Sequence, residues 1–507
     1  MSVAIAWFRR DLRLDDNPAL WAAMRAADHV VPLFVRDPDL ARSAGAAGRR
    51  IERLDAALVA LDRELRARGG RLVVRSGRPE QAVPAIAHET GAVAVHAHRD
   101  YGPYAARRDA RVGAALAALP APLAALPAPL AARSATPAAG TPGVALVLHP
   151  GTLLVEPERL GDRQVFAPFH RAWLAALPSD SALEAPTRIH VPDGAWSEPL
   201  PGVEPRGEPA AWALLAGFAT RAGGYAGERN RLDLDATSRL SSDLHFGTIS
   251  PRRVAAAIPD EAFLRQLAWR DWAAHLLYRR PEAAADAWQA RFRGMPWNDD
   301  ERLLGAWRDG VTGYPAVDAA MRQLGAEGFI ANRARMIAAS FLSRDLLLDW
   351  RLGVDHFART LVDADVANNV MGWQWTAGVG TDAAPWPRVM NPVLQGERFD
   401  PHGEWVRRWV PELRRVPDAF VHRPWDAPGG VPRGYAARIV DHAEARWRSL
   451  AWFRAWLGTP PRAPVRSLDG RRYHPGMATA AASPDAAPAT SAGSAAAADD
   501  ARRHGAR

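Results

Sequence analysis

Val3-Ala-Ile-Ala-Trp-Phe8 is followed by a helical pattern over Pro18–Ala27 and then by Val30-Val-Pro-Leu-Phe-Val35. Short apolar runs without polar alternation are those of strands covered on both faces, and a helix-length connection makes such strands parallel. The pattern repeats. Strands are predicted at Val3–Phe8, Val30–Val35, Arg71–Val74, Ala92–Ala97 and Val144–Leu148. The intervening helices are predicted at Pro18–Ala27, Arg49–Arg68, Pro79–Glu89 and Tyr104–Leu119. Residues 1–150 therefore read as an α/β domain built on a doubly wound parallel sheet. No GxGxxG or P-loop motif accompanies it, so the usual phosphate-cradling loops are absent.

Outside that unit the pattern changes. Leu119-Pro-Ala-Pro-Leu-Ala-Ala125 is repeated as Leu126-Pro-Ala-Pro-Leu-Ala-Ala132, and the proline-rich stretch runs on to Pro142. Proline at this density excludes a helix, and 119–142 reads as an extended low-complexity insertion. Residues 151–207 form a Pro- and Gly-rich linker. Its segment Val165-Phe-Ala-Pro-Phe-His-Arg-Ala-Trp173 carries aromatics expected to dock on one of the domains. Residues 208–457 read as an all-helical domain, with helices at Ala210–Ala222, Pro251–Ile258, Ala262–Tyr278, Pro315–Leu324, Ile330–Leu348, Val354–Leu361 and Asp363–Met371. Residues 458–507, rich in Ala, Pro, Ser, Gly and Asp, read as a disordered tail.

Composition bounds the function classes. A chain of 507 residues is too long for one core. With no cysteine, disulfides, thiolate metal sites and Cys nucleophiles are excluded. No run of eighteen apolar residues occurs and the first residues lack a signal-peptide layout, so a cytoplasmic protein without membrane contact is expected. Every basic residue is arginine, which reads as the codon pressure of a GC-rich genome. The net charge of +8 permits a polyanionic partner without establishing one.

The helical region concentrates polar and aromatic residues in one place. Asp363-Ala-Asp-Val-Ala-Asn-Asn-Val-Met-Gly-Trp-Gln-Trp375 packs Asp363, Asp365, Asn368, Asn369, Trp373 and Trp375 among apolar neighbours. Buried polar groups on this scale need partners, and a large planar ligand with polar edges would supply them. The alternative is a polar helix end beside an aromatic core. Thr237-Ser-Arg-Leu-Ser241 offers three hydroxyls beside an arginine, suited to a phosphate or to ordinary N-capping. Gln266, Trp269 and Arg270 share one helix face, as do Asn332, Arg335 and Met336, with Arg333 beside them. These faces line something polar or form a structural ion-pair cluster. Arg335 is the expected partner of Asp363. Trp297, Trp350 and Trp373 stand in three separate segments, and spacing does not say whether they meet.

Taken together these residues resemble the cryptochrome/photolyase family, and within it the microbial cyclobutane pyrimidine dimer photolyases. The resemblance runs from Trp7-Phe-Arg-Arg-Asp-Leu-Arg-Leu-Asp-Asp-Asn-Pro18 to Ile439-Val-Asp-His442 and is strongest in Thr237–Ser241, Leu267–Arg270, Asn332–Phe341 and Asp363–Pro385. It implies non-covalent FAD in the helical domain. Tyr225, Thr237, Ser238, Arg239, Leu240 and Ser241 match the positions that hold its phosphates and ribityl chain. Asp363, Ala364, Asp365 and Asn369 match those around the flavin ring, with Asn369 facing N5 and Arg335 paired to Asp363. Trp373, Trp350 and Trp297 match a chain that carries an electron inward to the photoexcited flavin. Trp269 and Trp375 match the aromatics that pack against a flipped-out dimer, Met336 and Gln266 lie beside it, and Arg229, Arg270, Asn332 and Arg333 match contacts around the DNA. The implied partner is UV-damaged DNA, bound without regard to sequence by a monomer, and the implied reaction is light-driven repair. No metal is called for.

Three positions depart from the pattern. Gln266 replaces a glutamate usual in cyclobutane-dimer photolyases; it keeps an NH₂ donor but cannot supply a proton. Glutamine here is similar to the (6-4) photolyases, yet those have histidines where this chain has Asn332 and Met336. Pro387 stands where an aromatic is usual after Trp386. Ala105, after Tyr104, stands where some relatives place a glutamate against a folate antenna, which leaves the second chromophore open: methenyltetrahydrofolate, a deazaflavin, or none. The leading reading is dimer repair, and the alternative is a cryptochrome-type blue-light photoreceptor without repair activity.

Overall fold

The computed structural model describes residues 1–43, 48–120, 143–382 and 388–458, together with the backbone of 465–466 and 472–473. The 119–142 insertion lies outside the described residues from 121 onward, as do Trp386, Pro387 and all but those two short stretches of the tail. Val465–Arg466 and Arg472–Tyr473 pair antiparallel, a local pairing that the tail composition did not suggest.

Five parallel strands, β1 (Val3–Phe8), β2 (His29–Arg36), β3 (Val73–Ser76), β4 (Ala92–His98) and β5 (Ala145–His149), form one sheet in the order β3-β2-β1-β4-β5. Side chains alternate across β1. Val3, Ile5 and Trp7 pack with Val83, Ile86, Val112 and Leu116 from the helices Pro79–Thr90 and Pro103–Ala117. Ala4, Ala6 and Phe8 pack with Leu20, Ala23, Leu58 and Leu61 from Pro18–Ala26 and Gly48–Arg66. Helices cover both faces, as a doubly wound sheet requires. β5 departs from the expectation of full burial: as an edge strand it is only half-covered. The reversal of strand order falls between β1 and β4, and the crevice at their carboxyl ends is where such sheets bind ligands.

The rest of the described chain is mostly helical, as the pattern predicts, with two corrections. The expected helix Ile330–Leu348 is α-helical only over Asn332–Ser340 and then opens into a π turn, Phe341–Asp345. The π turn brings Arg344 and Asp345 into the core, where Arg344 Nη1 donates to the Ala377 carbonyl and Asp345 pairs with His442. The helix expected from Asp363 begins at Val366, because the Asp365 carboxylate accepts from the Asn368 N–H and caps it. The linker is more ordered than its composition suggested: it contains the helix Phe166–Ala175, and Phe166, Phe169 and Trp173 are buried in the core of the helical domain.

The two units are locked together where the chain leaves β1. Leu12 N–H donates to the Phe246 carbonyl, and Arg13 donates to the Gly247 carbonyl. A Cβ at Gly247 would lie 1.9 Å from the Arg10 carbonyl oxygen, and its φ is +68°, so both the close approach and the turn require glycine.

Candidate active site

The polar end of the Val366–Ala377 helix is built around two carboxylates. Asp363 Oδ2 accepts from Arg335 Nη2 at 2.8 Å, the pairing expected from the sequence. Burial would raise the Asp363 carboxyl, but the Arg335 guanidinium and the nearby Ser241 hydroxyl outweigh it and hold it below the usual range. Asp365 Oδ2 accepts from Arg10 Nη2 at 2.6 Å. Here too burial opposes ionisation, and Arg10 with the Asn368 N–H keeps the carboxyl well below its ordinary value. Burial, with Arg10 beside it, pushes His245 down to about 3, so its ring is neutral. Arg10 was not among the candidates read from the sequence. Nothing in a run of arginines after a strand shows which one reaches across to another domain.

Thr237–Ser241 meets this centre through Ser241 and through Phe329, whose ring lies under the guanidinium groups of Arg239 (5.3 Å) and Arg335 (5.8 Å). Arg239 adopts a left-handed φ of +54° and pairs with Asp235 on the surface. Ser238 Oγ accepts from the Leu240 N–H, and Leu240 is buried. Tyr225 is buried against Phe218 and Phe263. Asn369 Nδ2 donates to the Val354 carbonyl at 3.0 Å, and the amide oxygen, at the other end, receives no hydrogen bond from the described residues. Ala364 packs half-buried on the core.

The helices Glu261–Arg279 and Asn332–Ser340 both pack on Val366–Ala377, which brings together the elements that carry Trp269, Met336 and Trp375. Trp269 and Trp375 are half-buried, whereas Gln374 between the indoles is buried and bonded to the Ala283 and Asp286 carbonyls and the Trp288 N–H. Gln266 Nε2 donates to Ala262 of its own helix at 3.0 Å, and the Asn332 amide lies 3.6 Å from Met336 Sδ. Arg333 is held by two neutral amides, Asn230 and Gln395, over the Phe399 ring. Burial and the neighbouring Arg229 and Arg398 lower its pKa, and among the described residues no carboxylate pairs with Arg333. Arg398 is a member the sequence reading missed. Arg270 is turned inward instead, bonded to Asp271 and to the Thr152 and Leu244 carbonyls, so the structure separates it from the other DNA candidates.

The three tryptophans converge on the start of the helix Trp350–Thr360. Trp373 fits against that helix so closely that a Cβ on Gly353 would lie 2.1 Å from its ring, and Gly353 shares a face with Trp350. At the other side, Asn298 bridges to Leu348, which places Trp297 beside the residues leading into Trp350. All three indoles are buried, and Trp297 continues onto Trp452 at 5.0 Å between ring centroids.

At the crevice between β1 and β4, the guanidinium groups of Arg9 and Arg108 share Asp109 and lie over Trp7. Tyr104 donates to Asp37, and Ala105 is buried. Arg9 Nε and Nη2 are buried without a hydrogen-bond partner among the described residues.

Comparison with known proteins places this geometry. Residues 4–188 match the family model described as DNA photolyase, and residues 263–455 match the FAD binding domain of DNA photolyase. A deoxyribodipyrimidine photo-lyase of Streptomyces griseus is 43% identical over 468 residues, covering 88% of this chain and 98% of its own. The chain belongs to the DNA photolyase family. Among solved structures, a class III photolyase of Agrobacterium tumefaciens superposes with a TM-score of 0.80 at 36% identity, covering 90% of this chain and 98% of its own. An archaeal photolyase of Sulfolobus tokodaii, solved with two FAD molecules, gives 0.77 at 29% identity, covering 89% of this chain and 99% of its own.

The photolyase-type helical domain suits FAD by an independent criterion. Asp363 Oδ1 is buried and receives no hydrogen bond from the described residues, although the carboxylate is held ionised. An ionised carboxylate can only accept, so it calls for an N–H or O–H from a ligand, which the flavin ring edge and the ribityl chain both provide. Among the described residues no group of three His, Asp or Glu side chains could hold a metal ion, and no helix is long and apolar enough to cross a membrane.

Proposed function

We propose that this photolyase-family chain repairs cyclobutane pyrimidine dimers in DNA under blue light, with FAD as its cofactor. FAD, when bound, supplies the light-driven electron that opens the cyclobutane ring. The protein binds, orients and shields. Asp363 with Arg335, and Asp365 with Arg10, form the polar floor of the cofactor site; Tyr225 and Thr237–Ser241 line its phosphate end, and Asn369 offers its amide oxygen toward the ring. Trp297, Trp350 and Trp373 relay an electron inward. The crevice beside Arg9 and Arg108 takes a second chromophore of folate or deazaflavin type.

The observation that carries this reading is the pairing of two ionised carboxylates, Asp363 buried and Asp365 half-buried, with half-buried Trp269 and Trp375 on helices that pack together. A dimer stacks poorly, so extruding it costs less than extruding a normal pair, typically a few kcal/mol. Indole walls return roughly 1–3 kcal/mol per stacked base. Arg229, Arg333 and Arg398, with no carboxylate against Arg333 among the described residues, bind phosphates without reading sequence.

Gln266 favours a second reading, a blue-light photoreceptor without repair activity. One experiment separates them: blue-light treatment of an oligonucleotide carrying a single thymine dimer, with purified photoreduced protein and a dark control. Light-dependent loss of the dimer supports repair. Persistence of the dimer, with flavin bound and reducible, rejects it in favour of the photoreceptor.

A further inference from the structure

The Phe166 ring lies face to face with Trp269, 3.6 Å between centroids and 5° from parallel. Phe166 belongs to the linker helix Phe166–Ala175, outside the helical elements that carry the rest of the proposed dimer site. Isolated aromatic pairs prefer offset or edge-on arrangements, so an overlaid stack is one that its surroundings hold in place. The surroundings are specific. Trp272 stands edge-on to both rings, the Arg265 guanidinium lies 5.4 Å from the Phe166 centroid, and His170 stacks on Phe166 from the next turn of its helix. Phe166 is 3% exposed, while Trp269 is half-buried. One face of the indole is thus covered by Phe166, and no other ring among the described residues stacks on it.

The backbone of Phe166 is tied to the other wall. Its N–H donates to Asp382 Oδ2 at 3.0 Å, and Asp382, seven residues beyond Trp375, is held at a left-handed φ of +43°. Thr381 Oγ1 donates to the Gln164 carbonyl at 2.9 Å alongside it. Trp269 and Trp375 sit on different helices, and the linker touches both segments.

We infer that Phe166 is a positioning residue for lesion recognition: it fixes the Trp269 indole in the plane that receives an extruded dimer, and Asp382 fixes Phe166 relative to the Trp375 segment. This rests on the dimer-repair reading. A wall already oriented gains affinity because the bound complex no longer has to order it.

The test compares equilibrium binding of the flavin-loaded protein to a duplex with one thymine dimer and to the same duplex undamaged. F166L keeps apolar bulk but removes the flat face, and the ratio of the two affinities is expected to fall about tenfold, within the range of one lost base stack. D382A removes the acceptor and is expected to lower the ratio by a smaller factor; D382N, which keeps an acceptor oxygen, retains it. An unchanged ratio in F166L overturns the inference, as does an equal loss on both duplexes. Should F166L fail to fold, a D382A ratio equal to that of wild type overturns it instead. Wild-type protein with no preference for the dimer would reject the repair reading itself, an outcome distinct from a wild-type preference that survives F166L.

Discussion

The Arg10 guanidinium and the Asp365 carboxylate, 355 residues apart in the chain, meet at 2.6 Å. Arg10 leaves the end of β1, donates through Nε to the His245 carbonyl, and lies 3.6 Å from Asp100. The carboxyl end of the parallel sheet therefore supplies a cation to the proposed flavin site. The pair links the two domains and charges the proposed cofactor pocket in one contact.

Removing that cation should cost both stability and cofactor. Breaking a buried pair strands the remaining charge at about 3–5 kcal/mol. Arg10 is 32% exposed at the side chain, so solvent screening reduces the expected loss to about 2 kcal/mol. Arg10→Ala should lower the Tm and weaken FAD retention, read by thermal unfolding and by flavin released on dilution. A Tm and flavin content equal to wild type would show that Asp365 finds another partner.

Gln266 is the second test. Its Nε2 is committed to the Ala262 carbonyl, and glutamine carries no ionisable proton. Gln266→Glu frees the end of the side chain from that donor role and gives it a proton to hold or release. Repair yield per absorbed photon should rise, measured on single-dimer oligonucleotide with fully reduced protein. An unchanged or lower yield means that this position does not limit repair.

The residues that the sequence made legible are those governed by local pattern. The five predicted strands all appear in the parallel sheet, the third shifted from Arg71–Val74 to Val73–Ser76, because short apolar runs joined by helix-length connections are covered by those helices. The Asp363–Arg335 pair was visible because one buried carboxylate and one inward arginine each needed a partner. Three features were hidden for reasons of geometry. The π turn at Phe341–Asp345 keeps helical composition while shifting which residues face inward. Asp365 reads as helical until its side chain is seen capping the helix. Arg10 is one arginine among many in a chain without lysine, and only the tertiary fold selects it. The inward turn of Arg270 is of the same kind, since helix spacing gives its face but not the carbonyls of Thr152 and Leu244 that draw it in.

His275 makes a prediction about acid stability. Its ring is buried against Phe169, and neither nitrogen has a hydrogen-bond partner among the described residues. Burial, with Arg279 nearby, pushes its pKa down to about 4. The folded protein keeps the ring neutral while the unfolded chain takes up a proton below about pH 6.5. Stability is therefore lost as pH falls from about 6.5 to about 4, at roughly 1.4 kcal/mol per pH unit. His275→Phe removes that proton uptake. The variant's stability relative to wild type should be greater at pH 5.5 than at pH 8 by about 1.4 kcal/mol, whatever packing change it brings at both. Urea unfolding at the two pH values measures the difference, and equal differences would place the acid sensitivity elsewhere.

Arg333 separates phosphate binding from lesion reading. Its guanidinium is braced by Asn230 and Gln395, lies over Phe399, and has Arg229 and Arg398 for cationic neighbours. Neutral braces orient the group without cancelling its charge, so the charge is available to a phosphate. Each phosphate contact releases condensed counterions and contributes about 0.9 to the slope of log affinity against log salt on duplex DNA. Arg333→Ala should therefore weaken damaged and undamaged duplex by the same factor and flatten the salt slope by about one contact. F166L is expected to do the reverse, lowering the preference for the dimer without changing the slope. Measured across a salt series on both duplexes, a loss confined to the dimer duplex would move Arg333 from the backbone contacts to the lesion pocket.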